Sequence, residues 1–76
     1  MFIAITVKQG DISKDIRIDS EQKIGVCLKV LREAGKIPNG ESPTYFRSGQ
    51  CEKLVSAYKT FQDEGIYDGD VLTVIG

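Results

Sequence analysis

The side chains of this sequence that could do chemistry are a few carboxylates, serines and cysteines, and the sequence contains no histidine. That absence removes the commonest general base and the commonest metal ligand. Ser20 and Ser48 therefore lack the base that would activate a serine nucleophile. Asp68 and Asp70 flank Gly69, but two carboxylates fall far short of the roughly six to eight oxygen ligands that calcium takes. We interpret both aspartates as exposed turn residues.

The remaining candidates are better explained by structure than by catalysis. Asp63 and Glu64 are interpreted as a solvated acidic corner. Two cysteines are too few for a disulfide scaffold, so Cys27 and Cys51 are interpreted as structural thiols. No glycine spacing is typical of a phosphate-binding loop. The sequence thus predicts no catalytic residue, no metal site and no cofactor, and we expect a protein that is not an enzyme.

The elements that must position these residues are organised around one amphipathic helix, predicted within residues 19–35. Asp19 and Ser20 are suitable N-caps, and Gly35 suits the left-handed position after the last turn. Gly25 weakens the helix by about 1 kcal/mol relative to alanine, unless the backbone there approaches a strand closely. The apolar residues recur at the spacing of one helix face, and the last of them is expected to widen it: Ile24, Cys27, Leu28, Leu31 and Val30.

Alternating apolar and polar residues predict strands on both sides of this helix. The predicted strands cover residues 1–7, 12–18, 44–47 and 71–75, and a further short strand could lie within residues 50–55. Residues 57–64 are ambiguous and could hold a turn of helix, with Phe61 as its anchor. The order ββαββ predicts an α+β fold, with a mixed sheet of four to five strands packed on one α-helix. The first and last strands are expected to pair in parallel at the sheet centre.

Composition limits the functional classes that this chain could belong to. Its 76 residues predict a single domain spanning residues 1–76. A net charge of −1 and a pI near 5.3 argue against a nucleic-acid-binding protein. No apolar run approaches the roughly 20 residues needed to cross a bilayer, so direct membrane insertion is not expected. The N-terminal residues lack the features of a signal peptide, and we expect a cytoplasmic protein.

A collinear set of residues resembles ubiquitin and its relatives, which have the β-grasp fold. Lys36, Ile37 and Pro38 stand where the family has Gly-Ile-Pro, after a hairpin that begins at Met1. The apolar positions that carry the rest of the resemblance are Ile18, Ile24, Cys27, Leu31, Phe46, Phe61, Ile66, Leu72 and Val74. The resemblance covers nearly the whole chain and implies a ubiquitin-like β-grasp domain.

Within that family, the ending GIYDGDVLTVIG is similar to the YukD/EsaB group of bacterial ubiquitin-like proteins associated with type VII secretion. This resemblance implies a cytosolic accessory or regulator of such a system, which binds protein partners non-covalently and lacks a conjugation tail. One alternative is a protein modifier or sulfur carrier activated at Gly76. Another is a small scaffold subunit of a multicomponent enzyme.

A binding surface is predicted on the sheet face opposite the helix, where Tyr45, Arg47, Thr73 and Ile75 would project. An exposed tyrosine and isoleucine beside an arginine is a mixture enriched at protein interfaces. The resemblance implies a recognition patch in this region, with Tyr45 and Ile75 at its apolar positions. The alternative is that these are ordinary surface residues, since isolated exposed apolar side chains are normal.

Overall fold

The computed structural model describes residues 1–75, so Gly76, the residue named for the conjugation alternative, lies outside the described residues. Within residues 1–75, the elements are β1 Phe2–Gln9, β2 Ile12–Asp19, α1 Ile24–Glu33, β3 Tyr45–Ser48, β4 Lys53–Ser56 and β5 Val71–Val74. The further strand considered within residues 50–55 is present as β4. In this described part of the chain, no helix has the length and apolar character that a membrane span requires.

The sheet has the strand order β2-β1-β5-β3-β4. Strand β1 pairs antiparallel with β2 and parallel with β5, while β3 pairs antiparallel with both β5 and β4. The predicted mixed sheet packed on one helix is confirmed, as is the parallel pairing of the first and last strands at its centre. The helical connection makes the parallel pairing possible, because it returns the chain to the starting end of the sheet.

One face of the sheet and one face of α1 enclose the hydrophobic core. The buried helix residues are the four predicted ones, Ile24, Cys27, Leu28 and Leu31. The sheet and the loops contribute Ile3, Ile5, Val7, Ile18, Ile37, Phe46, Val55, Ala57, Phe61, Ile66 and Leu72. Val30 does not widen the helix stripe as predicted, because its side chain is 44% exposed. The apolar face of α1 is therefore narrower than the sequence indicates.

The helix begins later than its capping signals predict. It starts at Ile24 after Lys23, which makes no side-chain capping hydrogen bond. Asp19 is still part of β2, and the backbone N–H of Ser20 donates to the carbonyl of Met1 at 2.7 Å. Asp19 and Ser20 therefore pair with the start of β1 and do not cap the helix as expected.

Asp19 instead fastens the start of the chain to the end of β2. Its carboxylate accepts from the backbone N–H of Glu21 at 3.0 Å and from the α-ammonium group of Met1 at 3.2 Å. These contacts hold the pKa of the Asp19 carboxyl below its usual value, the Glu21 hydrogen bond being the larger cause. The carboxylate is therefore a turn and terminus cap rather than a helix cap.

The end of α1 follows the prediction closely. Gly35 adopts a φ of +72°, a conformation that glycine tolerates best. The N–H of Gly35 donates to the backbone carbonyl of Arg32 at 3.0 Å, and the N–H of Lys36 donates to the backbone carbonyl of Leu31 at 2.9 Å. This pair of bonds is the Schellman arrangement, which satisfies the last helix carbonyls.

The segment over residues 57–64 contains turns and no helix. Phe61 anchors it, as predicted, and its side chain is fully buried. The segment also explains why a glycine is present at position 25 of the helix. The N–H of Gly25 donates to the carbonyl of Ala57 at 3.0 Å. A Cβ atom at position 25 would lie 3.2 Å from that carbonyl oxygen, so the close approach anticipated for this glycine is present.

Candidate protein interface

The four residues predicted to bind a partner lie together on the sheet face that points away from α1. Arg47 of β3 is directly opposite Thr73 of β5 in the antiparallel register. Tyr45 is two residues before Arg47 in β3, and Ile75 directly follows β5; both line the same groove. Directly opposite residues, and residues two apart on one strand, project on the same face, so Tyr45, Arg47 and Thr73 share the outer face of the sheet. We call Tyr45, Arg47, Thr73 and Ile75 the docking surface.

The docking surface combines exposed apolar area with a positive charge. Tyr45 is 49% exposed and Ile75 is 41% exposed. Arg47 is also exposed, while Thr73 between the strands is half-buried. The exposed apolar area can be removed from water by a partner, and the guanidinium group can pair with a carboxylate in a fixed geometry.

Two further residues extend this surface across the sheet. Lys8 of β1 lies beside Thr73, and Leu54 of β4 lies opposite Arg47 on its other side. Leu54 is 54% exposed, which makes it the most exposed apolar side chain of β4. Sequence reasoning missed Leu54 because the bounds of β4 were not known, and without them its face could not be assigned.

An open groove of about 750 Å³ runs beside Tyr45 and Ile75, between the end of β5 and residues 40–44 of the connection after α1. Arg32 forms part of the groove wall. The groove gives the docking surface a concave margin next to its apolar pair.

Arg32 fastens this connection to the rest of the fold. Its guanidinium group donates to the carbonyls of Pro38, Gly40 and Glu41 at 3.1 to 3.2 Å. It also donates to the side-chain oxygen of Gln9 at 2.9 Å. The sequence indicates only that Arg32 lies on the polar side of α1. It does not predict these hydrogen bonds, because most of the acceptors are backbone carbonyls whose positions depend on the folded loop.

Asp70 is not the exposed turn residue that the sequence predicts. Its side chain is fully buried, as is that of Ser48, whose hydroxyl group donates to the Asp70 carboxylate at 2.5 Å. The other carboxylate oxygen accepts from the backbone N–H groups of Val71 and Gln50 at 2.7 and 3.0 Å. The Ser48 oxygen in turn accepts from the N–H of Cys51 at 3.1 Å. The arrangement joins β3, the turn after it and β5, and offers no free nucleophile.

Of the other carboxylates considered for chemistry, Asp63 is exposed, and Asp68 and Glu64 accept hydrogen bonds from backbone groups. Asp68 remains exposed and accepts from the N–H of Ala4 at 2.6 Å. Glu64 is half-buried and accepts from the N–H of Ser56 at 2.8 Å, so the interpretation of a solvated acidic corner is wrong for this residue. Within residues 1–75, no group of three or more histidine, cysteine, aspartate or glutamate residues is placed to hold a metal ion.

Both cysteines are free thiols in structural positions. Cys27 is fully buried in the core, and its Sγ lies 2.9 Å from the carbonyl oxygen of Ile24. Burial raises the pKa of the Cys27 thiol to about 12, which makes the reactive thiolate form rare at neutral pH. Cys51 is half-buried, with its Sγ 3.6 Å from the carbonyl of Gly65.

Comparison with models of known protein families finds no match, and comparison with curated proteins finds none either. Solved structures do match. A ubiquitin-like domain of an Arabidopsis thaliana protein superposes with a TM-score of 0.75 at 12% identity, over 97% of this chain and 76% of that chain. The EccD5 ubiquitin-like domain from Mycobacterium xenopi gives a TM-score of 0.65 at 20% identity, over 99% of this chain and 93% of that chain.

A third match is a chain of the MycP5-free ESX-5 inner membrane complex, with a TM-score of 0.58 at 21% identity. The similarity covers 97% of this chain and 20% of that much longer one. Similarities at these identities establish the fold alone, so the resemblance to the YukD/EsaB group stays a prediction. The chain has the ubiquitin-like fold, with a mixed five-stranded sheet packed on one helix.

Proposed function

We propose that this protein is a non-enzymatic ubiquitin-like module that binds a protein partner non-covalently through its docking surface. It acts in the cytoplasm of a bacterium as an accessory or regulator of a type VII secretion apparatus. The observation that carries the proposal is the exposure of Tyr45 and Ile75 along one groove, beside the cross-strand pair of Arg47 and Thr73.

The chemistry of the docking surface supports recognition of another protein. Tyr45, Arg47 and Thr73 stand on paired strands and Ile75 directly follows one, so little backbone freedom remains to be lost when a partner binds. Arg47 adds a fork of donors that suits a carboxylate. Lys8 lies across Thr73 from Arg47, and the two cations favour a partner segment with acidic residues beside its apolar contacts.

The choice of partner assembly is supported by two of the structural similarities. The EccD5 domain and the chain of the ESX-5 inner membrane complex both belong to type VII systems, and both share this fold. The similarity of the ending GIYDGDVLTVIG to the YukD/EsaB group points to the same class of assembly.

The proposal is tested by replacing the apolar pair of the docking surface. We expect the double variant Tyr45→Asp/Ile75→Asp to lose co-purification with the type VII membrane components of its host, because two carboxylates cannot be buried against an apolar partner. The measurement is quantitative mass spectrometry on tagged protein isolated after mild cross-linking in cells. Circular dichroism establishes that the variant is folded.

The matched control is Tyr58→Asp/Val30→Asp, which changes a tyrosine and a β-branched aliphatic residue at exposed positions outside the docking surface. This control should retain the secretion components at the level of the unaltered protein. Equal capture by the docking-surface variant and the unaltered protein would reject the assigned surface. Failure of all three proteins to capture any secretion component would reject the proposed assembly.

The conjugation alternative makes a different prediction for the same tagged strain. A modifier would produce a ladder of heavier bands on a denaturing immunoblot, and deletion of Gly76 would remove it. Non-covalent binding predicts one free band both with and without Gly76. A Gly76-dependent ladder would therefore replace our proposal with the modifier function.

A further inference from the structure

Strand β2 forms an open edge of the sheet, and β1 separates it from β5, the nearest strand of the docking surface. It is eight residues long and pairs with β1 along its whole length in a constant register without a bulge. The N–H of Ser20 donates to Met1 in the same register, and antiparallel hydrogen-bonded pairs occur at every second residue. Even-numbered residues of β2 therefore bond to β1, and the backbone groups of Ser13, Asp15 and Arg17 point to the open edge.

An open edge of this kind is a template for another strand, and charge decides which strand fits. A second copy must pair about a two-fold axis that passes midway between the two copies of one β2 residue, which then face each other. An axis at Lys14, Asp15 or Arg17 places that charged residue opposite itself, which is unfavourable. An axis at Ile16 places Asp15 of each copy opposite Arg17 of the other. The charges thus disfavour three neighbouring registers and favour the fourth.

The side chains that would form this charge pair are already held on the outer face of the sheet. The Asp15 carboxylate accepts from the hydroxyl of Thr6 at 2.6 Å. The Arg17 guanidinium lies 5.6 Å from the centre of the Phe2 ring, within the range of a cation–π contact. Both residues are exposed, so a second strand could approach them from the open edge.

We propose that two copies of this chain associate through antiparallel pairing of β2 with β2, centred on Ile16. The result is a continuous ten-stranded sheet with both helices on one face and both docking surfaces on the other. Two strands β1 and β5 separate this edge from β3, so the inference is independent of the proposed partner. One strand pairing buries a small area, and the association is therefore weak and reversible.

Disulfide trapping tests the register directly in a Cys51→Ser background. In the proposed dimer the two residues at position 16 form a non-hydrogen-bonded pair, with Cα atoms about 4.5 Å apart, a separation that a disulfide can bridge. We expect Ile16→Cys to form covalent dimers under mild oxidation many times faster than the control Lys14→Cys. The two residues at position 14 would be roughly 13 Å apart, four residues along the strand.

Absence of trapping at position 16, or trapping at position 14 that is equal or faster, would overturn the proposal. Faster trapping at position 14 would also show pairing in a register that the charges disfavour. Position 14 is exposed and position 16 is half-buried, so simple accessibility would favour the control. Preferential trapping at position 16 therefore cannot be explained by accessibility.

Charge reversal provides a second test, without a cysteine at the interface. Asp15→Arg should weaken self-association in sedimentation velocity, because the introduced guanidinium group of one copy then faces Arg17 of the other. Asp15→Arg/Arg17→Asp restores opposite charges and should restore association. Circular dichroism checks that both variants fold. A monomeric unaltered protein at every concentration, or equal association of all three proteins, would reject pairing at β2.

Discussion

At the scale of single residues, the Asp70 side chain shows how a buried carboxylate is tolerated in this small core. Its oxygens accept three hydrogen bonds, one from the hydroxyl of Ser48 and two from backbone N–H groups. Burying a polar group without such partners costs free energy. Sequence reasoning placed Asp70 in water, because a Tyr-Asp-Gly-Asp stretch is typical of an exposed turn. Two of its three partners, Ser48 and Gln50, lie twenty or more residues away in the sequence.

Removal of the Asp70 carboxylate should be costly because it leaves two backbone donors and a hydroxyl group unsatisfied in the interior. We expect Asp70→Ala to lower the free energy of unfolding by about 3 kcal/mol, and Ser48→Ala by about 1 to 2 kcal/mol. Urea denaturation followed by circular dichroism measures both. The control Asp63→Ala removes an exposed carboxylate and should change stability by less than about 0.5 kcal/mol. Equal stability of the Asp70 and Asp63 variants would contradict this account.

Cys27 makes stability depend on pH in the alkaline range. Burial raises its pKa from 9.0 to about 12, so the folded state favours the neutral thiol. The stability that the protein gains from keeping this thiol neutral is fully present below pH 9. It is lost as the pH rises toward 12, because the unfolded state then releases the proton more readily than the folded state. Between pH 8 and pH 11, the unaltered protein should therefore lose about 2 to 3 kcal/mol more stability than Cys27→Ala, measured by urea denaturation at each pH. Parallel pH curves for the two proteins would show that this thiol does not titrate as proposed.

At the scale of elements, Gly25 trades helix propensity for a close contact. A Cβ atom there would lie 3.2 Å from the oxygen and 3.3 Å from the Cβ of Ala57. That oxygen already accepts from the N–H of Gly25, and the N–H of Ala57 donates to Thr44 at 2.9 Å. Ala57 is therefore held in place and cannot easily move away from the helix.

Gly25→Ala should consequently destabilise the protein by about 1 kcal/mol, although alanine in an unconstrained helix would stabilise it by a similar amount. Thermal and urea unfolding show whether the substitution lowers or raises the free energy of unfolding. The double variant Gly25→Ala/Ala57→Gly relieves one of the two contacts, so a double-mutant cycle should show a favourable coupling of about 0.5 kcal/mol or more. A stabilised Gly25→Ala protein would contradict this expectation, because it would mean that the segment around Ala57 moves to make room for the added methyl group.

The helix also shows where local sequence signals reach their limit. Its periodicity correctly predicted the four buried residues, and Gly35 correctly predicted its end. Its start was predicted wrongly, because Asp19 and Ser20 are good caps in isolation but pair with the start of β1 in the fold. A periodic pattern reports on one face of an element, whereas an element boundary depends on which distant strand competes for the same residues.

The same limit applies to the docking surface. Tyr45, Arg47 and Thr73 could be placed on one face from the alternation of short strands together with a family resemblance. Leu54 and Arg32 could not, since their roles depend on the register of β4 and on the carbonyls of a folded loop. Their proximity to the surface became visible only in three dimensions.

At the scale of the whole molecule, the first and last strands of the described chain lie side by side in the middle of the sheet. Strand β1 begins at Phe2 and β5 ends at Val74, and the two pair in parallel through Thr6–Val71, Val7–Leu72 and Lys8–Thr73. This pairing was predictable because the first and last strands are strongly apolar and a helix separates them. It makes the sheet depend on contacts between residues more than sixty positions apart, which favours all-or-none unfolding.

The parallel pairing of β1 and β5 also determines how strongly the protein resists unfolding by a mechanical force. Tension applied at residue 1 and residue 75 would run in opposite directions along two adjacent parallel strands, and so would load their hydrogen bonds in shear. Bonds loaded in shear must break together, whereas the bonds of a hairpin such as β1 and β2, pulled at its open end, break one after another. Forced unfolding is governed by the unfolding rate rather than by equilibrium stability. The fold should therefore resist stretching between residues 1 and 75 more strongly than its small core would suggest.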